Sequence, residues 1–256
     1  SDLKVVIDTS DEVVAAIKKQ KLDGLVVIGG DGTLNISREL FAKGVPVVGV
    51  PKTIDNDVGG TEVTFGFDTA LDTATEAIDK LHTTAESHHR VMVLELMGRD
   101  AGFIALHAGV AGGADVILIP EIPFRYEAIV DKILRRVKNG SHFSILAVSE
   151  GAKPLDGVQS FSRSGNEIYV PRLGGIGAQV GQYIEENTEQ ETRVTVLGHI
   201  QRGGTPSSFD RFLAPRYGAA AVRLIAEKKF GQMVAFRYGD VVGISLEEAL
   251  KVPKRV

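Results

Sequence analysis

The chain contains no cysteine among its 256 residues, which excludes disulfide frameworks and thiolate metal sites. It also lacks any long basic run, and 29 basic against 33 acidic residues give a net charge of −4. That balance argues against a nucleic-acid or membrane-surface protein, while leaving room for local basic pockets. No apolar run reaches spanning length and no signal-peptide h-region is visible, so a cytoplasmic location without a membrane partner is expected. Repeats, low-complexity tracts and flexible linkers are missing as well. No His, Asp and Glu residues stand at convincing zinc spacing, and there is no Gly-x-Ser-x-Gly elbow.

What is present is an ordinary globular composition, 43% hydrophobic and 24% charged. The length accommodates one large α/β domain or two lobes. Strand and helix signals alternate, which reads as βαβ units around largely parallel sheets covered by helices. The clearest strands fall at 25–28, 45–50, 91–96, 116–119, 144–148 and 193–197. They are β-branched-rich runs without strict alternation, the pattern of strands buried on both faces. Helical spacing of Phe67, Ala70, Leu71, Ala74, Ala77, Ile78 and Leu81 predicts a helix over 67–81, with others over 176–187 and 209–227. Helix starts are expected at Thr33, Gly102 and Tyr126. The polar 151–172 stretch has no core-forming period and reads as a surface loop or hairpin.

Chemistry concentrates in the loops after these strands. Gly29-Gly30-Asp31-Gly32-Thr33 joins a strand to a helix. Glycines let backbone N–H groups approach phosphate oxygens, and the helix start adds favourable partial charge. Asp31 suits Mg²⁺ held against those phosphates, and Thr33 suits a cap or a phosphate contact. An ordinary strand-to-helix turn explains the same residues. Thr53-Ile54-Asp55-Asn56-Asp57 places two carboxylates in one short loop. Asp55 suits proton abstraction from an attacking hydroxyl, supported by Thr53 and Asp57; an Asx-turn is the alternative. Repulsion between the carboxylates calls for a cation, for which Lys52 and Arg99 are candidates.

Met97-Gly98-Arg99 follows the third strand, and an arginine between loop glycines suits a transferring phosphoryl group or, alternatively, a surface turn with Asp100. His199 and Arg202, beside Gly203 and Gly204, suit a phosphate monoester, and Arg90 is a further cation. His88 and His89 read as a polar helix terminus. Glu150, at the end of an apolar strand, suits sugar hydroxyls. These loops all lie at the carboxyl ends of strands, where open α/β sheets bind ligands.

Four segments carry a resemblance in register: Gly29-Gly-Asp-Gly-Thr33, Pro51-Lys-Thr-Ile-Asp-Asn-Asp57, Met97-Gly-Arg99 and Leu197-Gly-His-Ile-Gln-Arg-Gly-Gly204. With them the chain resembles the 6-phosphofructokinases over nearly its whole length. The resemblance implies phosphoryl transfer from ATP–Mg²⁺ to the 1-hydroxyl of fructose 6-phosphate, giving fructose 1,6-bisphosphate in glycolysis. It makes Asp55 the proton acceptor beside Thr53 and Asp57, and Asp31 the Mg²⁺ ligand. Gly30, Asp31, Gly32, Thr33 and Lys52 would line the donor site. Arg99 would stabilise the transferring group, with Met97, Gly98, Glu150, His199 and Arg202 on the sugar phosphate. Arg90 and Arg193 would reach a neighbouring subunit's site, which implies a homo-oligomer, dimer or tetramer. The donor lobe would comprise residues 1–66 and 201–256, and the sugar-phosphate lobe 67–200.

The chain also departs from that pattern. The family carries a strand and a Gly-rich donor loop upstream of the 29–33 turn, so a fragment lacking the N-terminal segment is expected. Gly32 matches ATP users, because an Asp there crowds the nucleotide; Lys52 is the residue typical of pyrophosphate users. His82, Asn139 and Ser141 stand where family effector pockets carry cations, although Asp115 keeps an acid there. Regulation by nucleoside diphosphates or phosphoenolpyruvate is therefore not expected. Two other classes stay open. One is a lipid- or NAD-kinase relative, which shares the 29–33 turn without needing Glu150 or the 197–204 loop. The other is a non-catalytic sugar-phosphate-binding fragment.

Overall fold

Strands and helices alternate along most of the chain, and the computed structural model describes them over residues 8–163 and 172–256. The chain divides into two units, Ser1–Phe67 with Pro206–Lys254, and Asp68–Thr205 with Arg255–Val256.

The first unit contains α1 (Ser10–Lys19), β1 (Leu25–Gly29), α2 (Asp31–Ala42) and β2 (Val47–Pro51). The chain returns to it with α7 (Ser208–Ala226), β9 (Gln232–Arg237), β10 (Asp240–Ser245) and α8 (Leu246–Leu250). Its sheet has the order β1-β2-β9-β10. β1, β2 and β9 run parallel, and β10 closes an antiparallel hairpin. β2 is buried at all five positions because successive side chains enter different cores. Val47 packs with Leu34, Leu40, Met233 and Leu246, whereas Val48 and Val50 pack with Leu213, Tyr217 and Leu224 of α7.

The second unit holds α3 (Phe67–His88, apart from its first residue), β3 (Val91–Leu96), α4 (Phe103–Ala111), β4 (Val116–Leu118) and α5 (Tyr126–Lys138). It continues with β5 (Ser144–Ser149), β6 (Phe161–Arg163), β7 (Arg172–Leu173), α6 (Ile176–Asn187) and β8 (Thr192–Val196). Its sheet, β4-β5-β3-β8, is parallel throughout. One face packs Val91, Val93, Leu146 and Val148 against Ile129 and Ile133 of α5 and Val180 and Ile184 of α6.

The six expected strands form with ends shifted by no more than two residues. α3 runs seven residues beyond the expected 81, because Ala85 continues the buried stripe one heptad past Ile78. α2 starts at Asp31 instead of Thr33, and α4 at Phe103 instead of Gly102. His88 does end a helix. The 151–172 stretch contributes an antiparallel β6–β7 ladder; residues 164–171, like the 1–7 stretch, lie outside the described residues. The β9–β10 hairpin and α1 and α8 have no counterpart in the sequence reading. The hairpin turns on Tyr238 and Gly239, both left-handed at φ 52° and 84°, without the Asn-Gly or Asp-Gly pair that usually marks such a turn. Among the described residues no helix is long and apolar enough to cross a membrane.

Tyr217 ties α7 to the segment after the 53–57 loop. Its buried hydroxyl donates to the Val63 carbonyl at 2.7 Å and lies 3.1 Å from the Thr61 hydroxyl. Burial pushes the phenol up to about 12. A phenol raised in the fold adds stability that is complete below its unfolded pKa and lost as pH rises through the folded one. Tyr217→Phe is expected to cost about 1–2 kcal/mol at neutral pH. It should also lessen the alkaline loss of stability between about pH 10 and 12. Urea unfolding across a pH series measures both.

Candidate functional site

Two clusters of sequence-nominated residues form, one on each unit. In the first unit β1 and β2 pair in parallel with Gly29 opposite Pro51, and the Lys52 N–H donates to the Gly29 carbonyl at 2.9 Å. The loops leaving both strands therefore start side by side. A Cβ on Gly30 would lie 3.3 Å from the Thr53 Cβ. Glycine is needed at Gly29, where a Cβ would collide with Thr33 at 2.5 Å, but Gly32 faces open space. Nothing in the protein's own packing thus demands the missing side chain at Gly32. Asp31 is the first residue of α2, so its carboxylate sits at the positive end of the helix.

Asp55 is 5% exposed and Asn56 4%, while Asp57 is half-buried. The Thr53 hydroxyl donates to Asp55 Oδ2 at 3.3 Å and accepts the Asp55 N–H at 3.2 Å. This is the local Asx/ST-turn geometry that the sequence allowed, and it coexists with a carboxylate poised at a strand end. Lys52 is exposed. A cation that sequence reasoning missed is Lys254, whose N–H donates to the Asp57 carbonyl at 2.9 Å and whose ammonium donates to the Glu62 carbonyl. Burial holds its pKa below the ordinary lysine value, with Glu62 and Asp57 acting against that shift. Almost two hundred residues separate Lys254 from Asp57, and no motif pointed to it.

In the second unit β5, β3 and β8 are neighbours, and their carboxyl ends carry Glu150, Met97-Gly98-Arg99 and the 3-10 turn Gly198–Arg202. The Met97 N–H donates to Gln201 Oε1 at 2.8 Å, joining two of these loops. Glu150 Oε1 accepts the N–H groups of Arg99 at 3.1 Å and Gly98 at 3.4 Å, joining the third. Gly98 and Arg99 are left-handed, at φ 147° and 52°. A Cβ on Gly98 would fall 2.6 Å from the Ala101 carbonyl oxygen, and one on Gly151 would fall 2.1 Å from that of Arg99. The arginine thus occupies a backbone state uncommon for a side-chain-bearing residue, enforced by close packing on both sides. His199 and Arg202 are exposed on the 3-10 turn.

Glu95, on β3, is a second carboxylate that the sequence reading did not single out. It is buried and accepts the N–H groups of Gly175 and Gly177 at the start of α6. One signal for it stands in the sequence, a charged residue inside the apolar 91–96 run; the other, the neighbouring helix start, exists only in three dimensions. Arg90 and Arg193 are not part of this cluster. They lie at the amino ends of β3 and β8, both paired with Glu191. About seven residues of strand at ~3.3 Å each put Arg90 roughly 20 Å from the loop at the other end of β3.

Burial raises the Glu150 carboxyl above its ordinary value; the N–H groups of Arg99 and Gly98 oppose this, Glu95 adds to it and Arg202 opposes it. A carboxyl raised in the fold contributes stability present below its unfolded pKa and lost as pH rises through the folded one. Glu150→Gln keeps an accepting oxygen and removes the titration. It is therefore expected to lose less stability than the parent as pH rises above the ordinary glutamate value of about 4, which denaturation at a series of pH values measures. Glu150→Ala, leaving two N–H groups without their acceptor, should be destabilised throughout.

The family model described as "Phosphofructokinase" matches residues 4–225. The chain is 58% identical over 238 residues to the ATP-dependent 6-phosphofructokinase of Chloroflexus aurantiacus, covering 92% of this chain and 65% of that protein. It is 49% identical to the pyrophosphate–fructose 6-phosphate 1-phosphotransferase of Amycolatopsis methanolica, covering 96% of this chain and 72% of that one. Among solved structures, phosphofructokinase from Saccharomyces cerevisiae superposes with a TM-score of 0.78 at 30% identity, covering 94% of this chain and 34% of that one. The chain thus spans about two thirds of the length of the curated relatives it matches.

Proposed function

The chain belongs to the phosphofructokinase family, and we propose from that premise that it transfers a phosphoryl group from ATP to the 1-hydroxyl of fructose 6-phosphate. The product is fructose 1,6-bisphosphate, in the cytoplasmic setting of glycolysis. The observation that carries the reading is the buried Asp55 carboxylate, bonded to Thr53 directly beside the Gly30 turn. Such a carboxylate takes the hydroxyl proton as the oxygen attacks phosphorus, and the nucleoside diphosphate leaves. Thr53 and Asp57 support it.

The residues for Mg²⁺ fit the chemistry of that ion. Among the described residues no three His, Asp or Glu side chains gather as a metal cage. Mg²⁺ on a nucleotide asks for less, one or two carboxylates, since phosphates and water supply the other oxygens. Asp31, at the start of α2, is the carboxylate for it, and the ion would neutralise charge on the donor phosphates. The N–H groups of Gly30, Gly32 and Thr33 suit the phosphates themselves.

The unit with Asp31 and Asp55 serves the donor and the base. The other serves the sugar phosphate, through Met97, Gly98, Glu150, His199 and Arg202, with Arg99 stabilising charge on the transferring group. Arg90 and Arg193, at the opposite ends of their strands, cannot serve that cluster in the same chain. Their position supports a homo-oligomer, dimer or tetramer, in which they reach a neighbour's 6-phosphate.

Donor choice turns on Gly32. An Asp there would be tolerated by the protein, since its Cβ meets nothing within 4 Å, so its absence favours room for the nucleotide. Lys52 favours pyrophosphate as the second reading, and relatives of both names exist.

Two measurements test this. Asp55→Ser is expected to lower turnover by about 10²–10⁴-fold or more while sugar-phosphate binding by calorimetry persists. Turnover at the parental rate would overturn the mechanism. Rates with ATP and pyrophosphate should favour ATP in the parent, and Gly32→Asp should lower the ATP rate selectively without loss of thermal stability. A parental preference for pyrophosphate would refute the donor assignment.

A further inference from the structure

Asp55 is held by more than Thr53. Thr64 is fully buried and uses both its donors, the hydroxyl and the N–H, on the residues that bracket Asp55. Its hydroxyl donates to the Thr53 carbonyl at 2.8 Å, and its N–H donates to Asn56 Oδ1 at 3.0 Å. Asn56 is itself left-handed, at φ 54°, a state that asparagine adopts more readily than most residues. The two bonds therefore act on either side of the carboxylate, one residue after it and two before.

The residue making them is anchored in turn. Val63, just before Thr64, accepts the Tyr217 hydroxyl at 2.7 Å. Gly66, just after, donates its N–H to the buried Asp210 of α7 at 2.8 Å. The latch is thus bonded to the helix that packs under β2.

We propose that Thr64 and Asn56 are positioning residues for the Asp55 base, locking the peptide on both sides of it so that its carboxylate is presented at one fixed angle. This rests on Asp55 being the base. Neither side chain contacts Asp55 through a bond of its own; each acts through the backbone that carries it. A base displaced by about 1 Å is expected to lose on the order of 10²-fold in rate, so the effect belongs to the chemical step and not to sugar binding.

Thr64→Val keeps the volume and the N–H and deletes only the hydroxyl. In the full chain it is expected to lower kcat by about 10–100-fold with the KM for fructose 6-phosphate changed less than about threefold. Thr64→Ser, which restores the hydroxyl, should recover most of the rate. Asn56→Gly, which accepts the left-handed backbone but lacks Oδ1, should repeat the kcat loss; it carries the same test should Thr64→Val not fold, with thermal melting deciding that point. Parental kcat in either folded variant would overturn the proposal, as would an equal loss in Thr64→Ser or a loss confined to KM. Asp55→Ser measured alongside separates the two levels. If it is inactive while Thr64→Val is unaffected, only the latch fails. If it is active, the assignment of the base fails.

Discussion

Parallel register is the constraint on which both units depend. When neighbouring strands run the same way, their carboxyl ends fall on one edge, and the loops that leave them are delivered side by side. The Gly29–Pro51 register, with the Lys52 to Gly29 bond, does this for the 29–33 and 53–57 loops. The β5-β3-β8 order does it for Glu150, the 97–99 loop and the 198–202 turn. Antiparallel pairing would alternate the ends and separate these groups. The parallel strands in turn require helices on both faces, which is why β2, β3 and β5 are buried at every position.

On that edge the structure uses carboxylates in different ways. Glu95 satisfies N–H groups at the start of α6 and so works as a helix cap supplied by a strand. Glu150 holds the backbone of Arg99, which makes the position of a cation depend on an anion at the end of the neighbouring strand. The Asp55 and Asp57 loop is pinned from behind through Thr64 and from the side by Lys254. The loop that carries Asp55 therefore has a buried polar residue, Thr64, that fixes its geometry. Buried polar groups of this kind specify one arrangement because leaving any of them unpaired costs about 1–3 kcal/mol.

Much of this was legible in the chain. The β-branched runs located six strands, since burial on both faces leaves a continuous apolar signature. The apolar stripe from Phe67 to Ile78 located α3, and glycines with acidic residues after strands marked the loops. The β9–β10 hairpin was not legible, because Tyr238-Gly239 reaches a left-handed turn without the residues that advertise one. The last two turns of α3 escaped for a similar reason: a single Ala85 is too small a signal to extend a polar stretch. Glu95, Gln201, Thr64 and Lys254 escaped because their partners lie between eight and about two hundred residues away in sequence.

By itself, then, the sequence determined the α/β class, the loops that carry the chemistry and the family resemblance, all of which are encoded in short stretches. Local residue order suffices there because strand burial and Gly-rich turns are local consequences of side-chain size and backbone freedom. Tertiary structure alone decided which loops become neighbours, that Glu150 holds the Arg99 backbone, and that Arg90 and Arg193 stand at the far ends of their strands. Those outcomes follow from strand order and register, which arise from packing between segments distant in the chain.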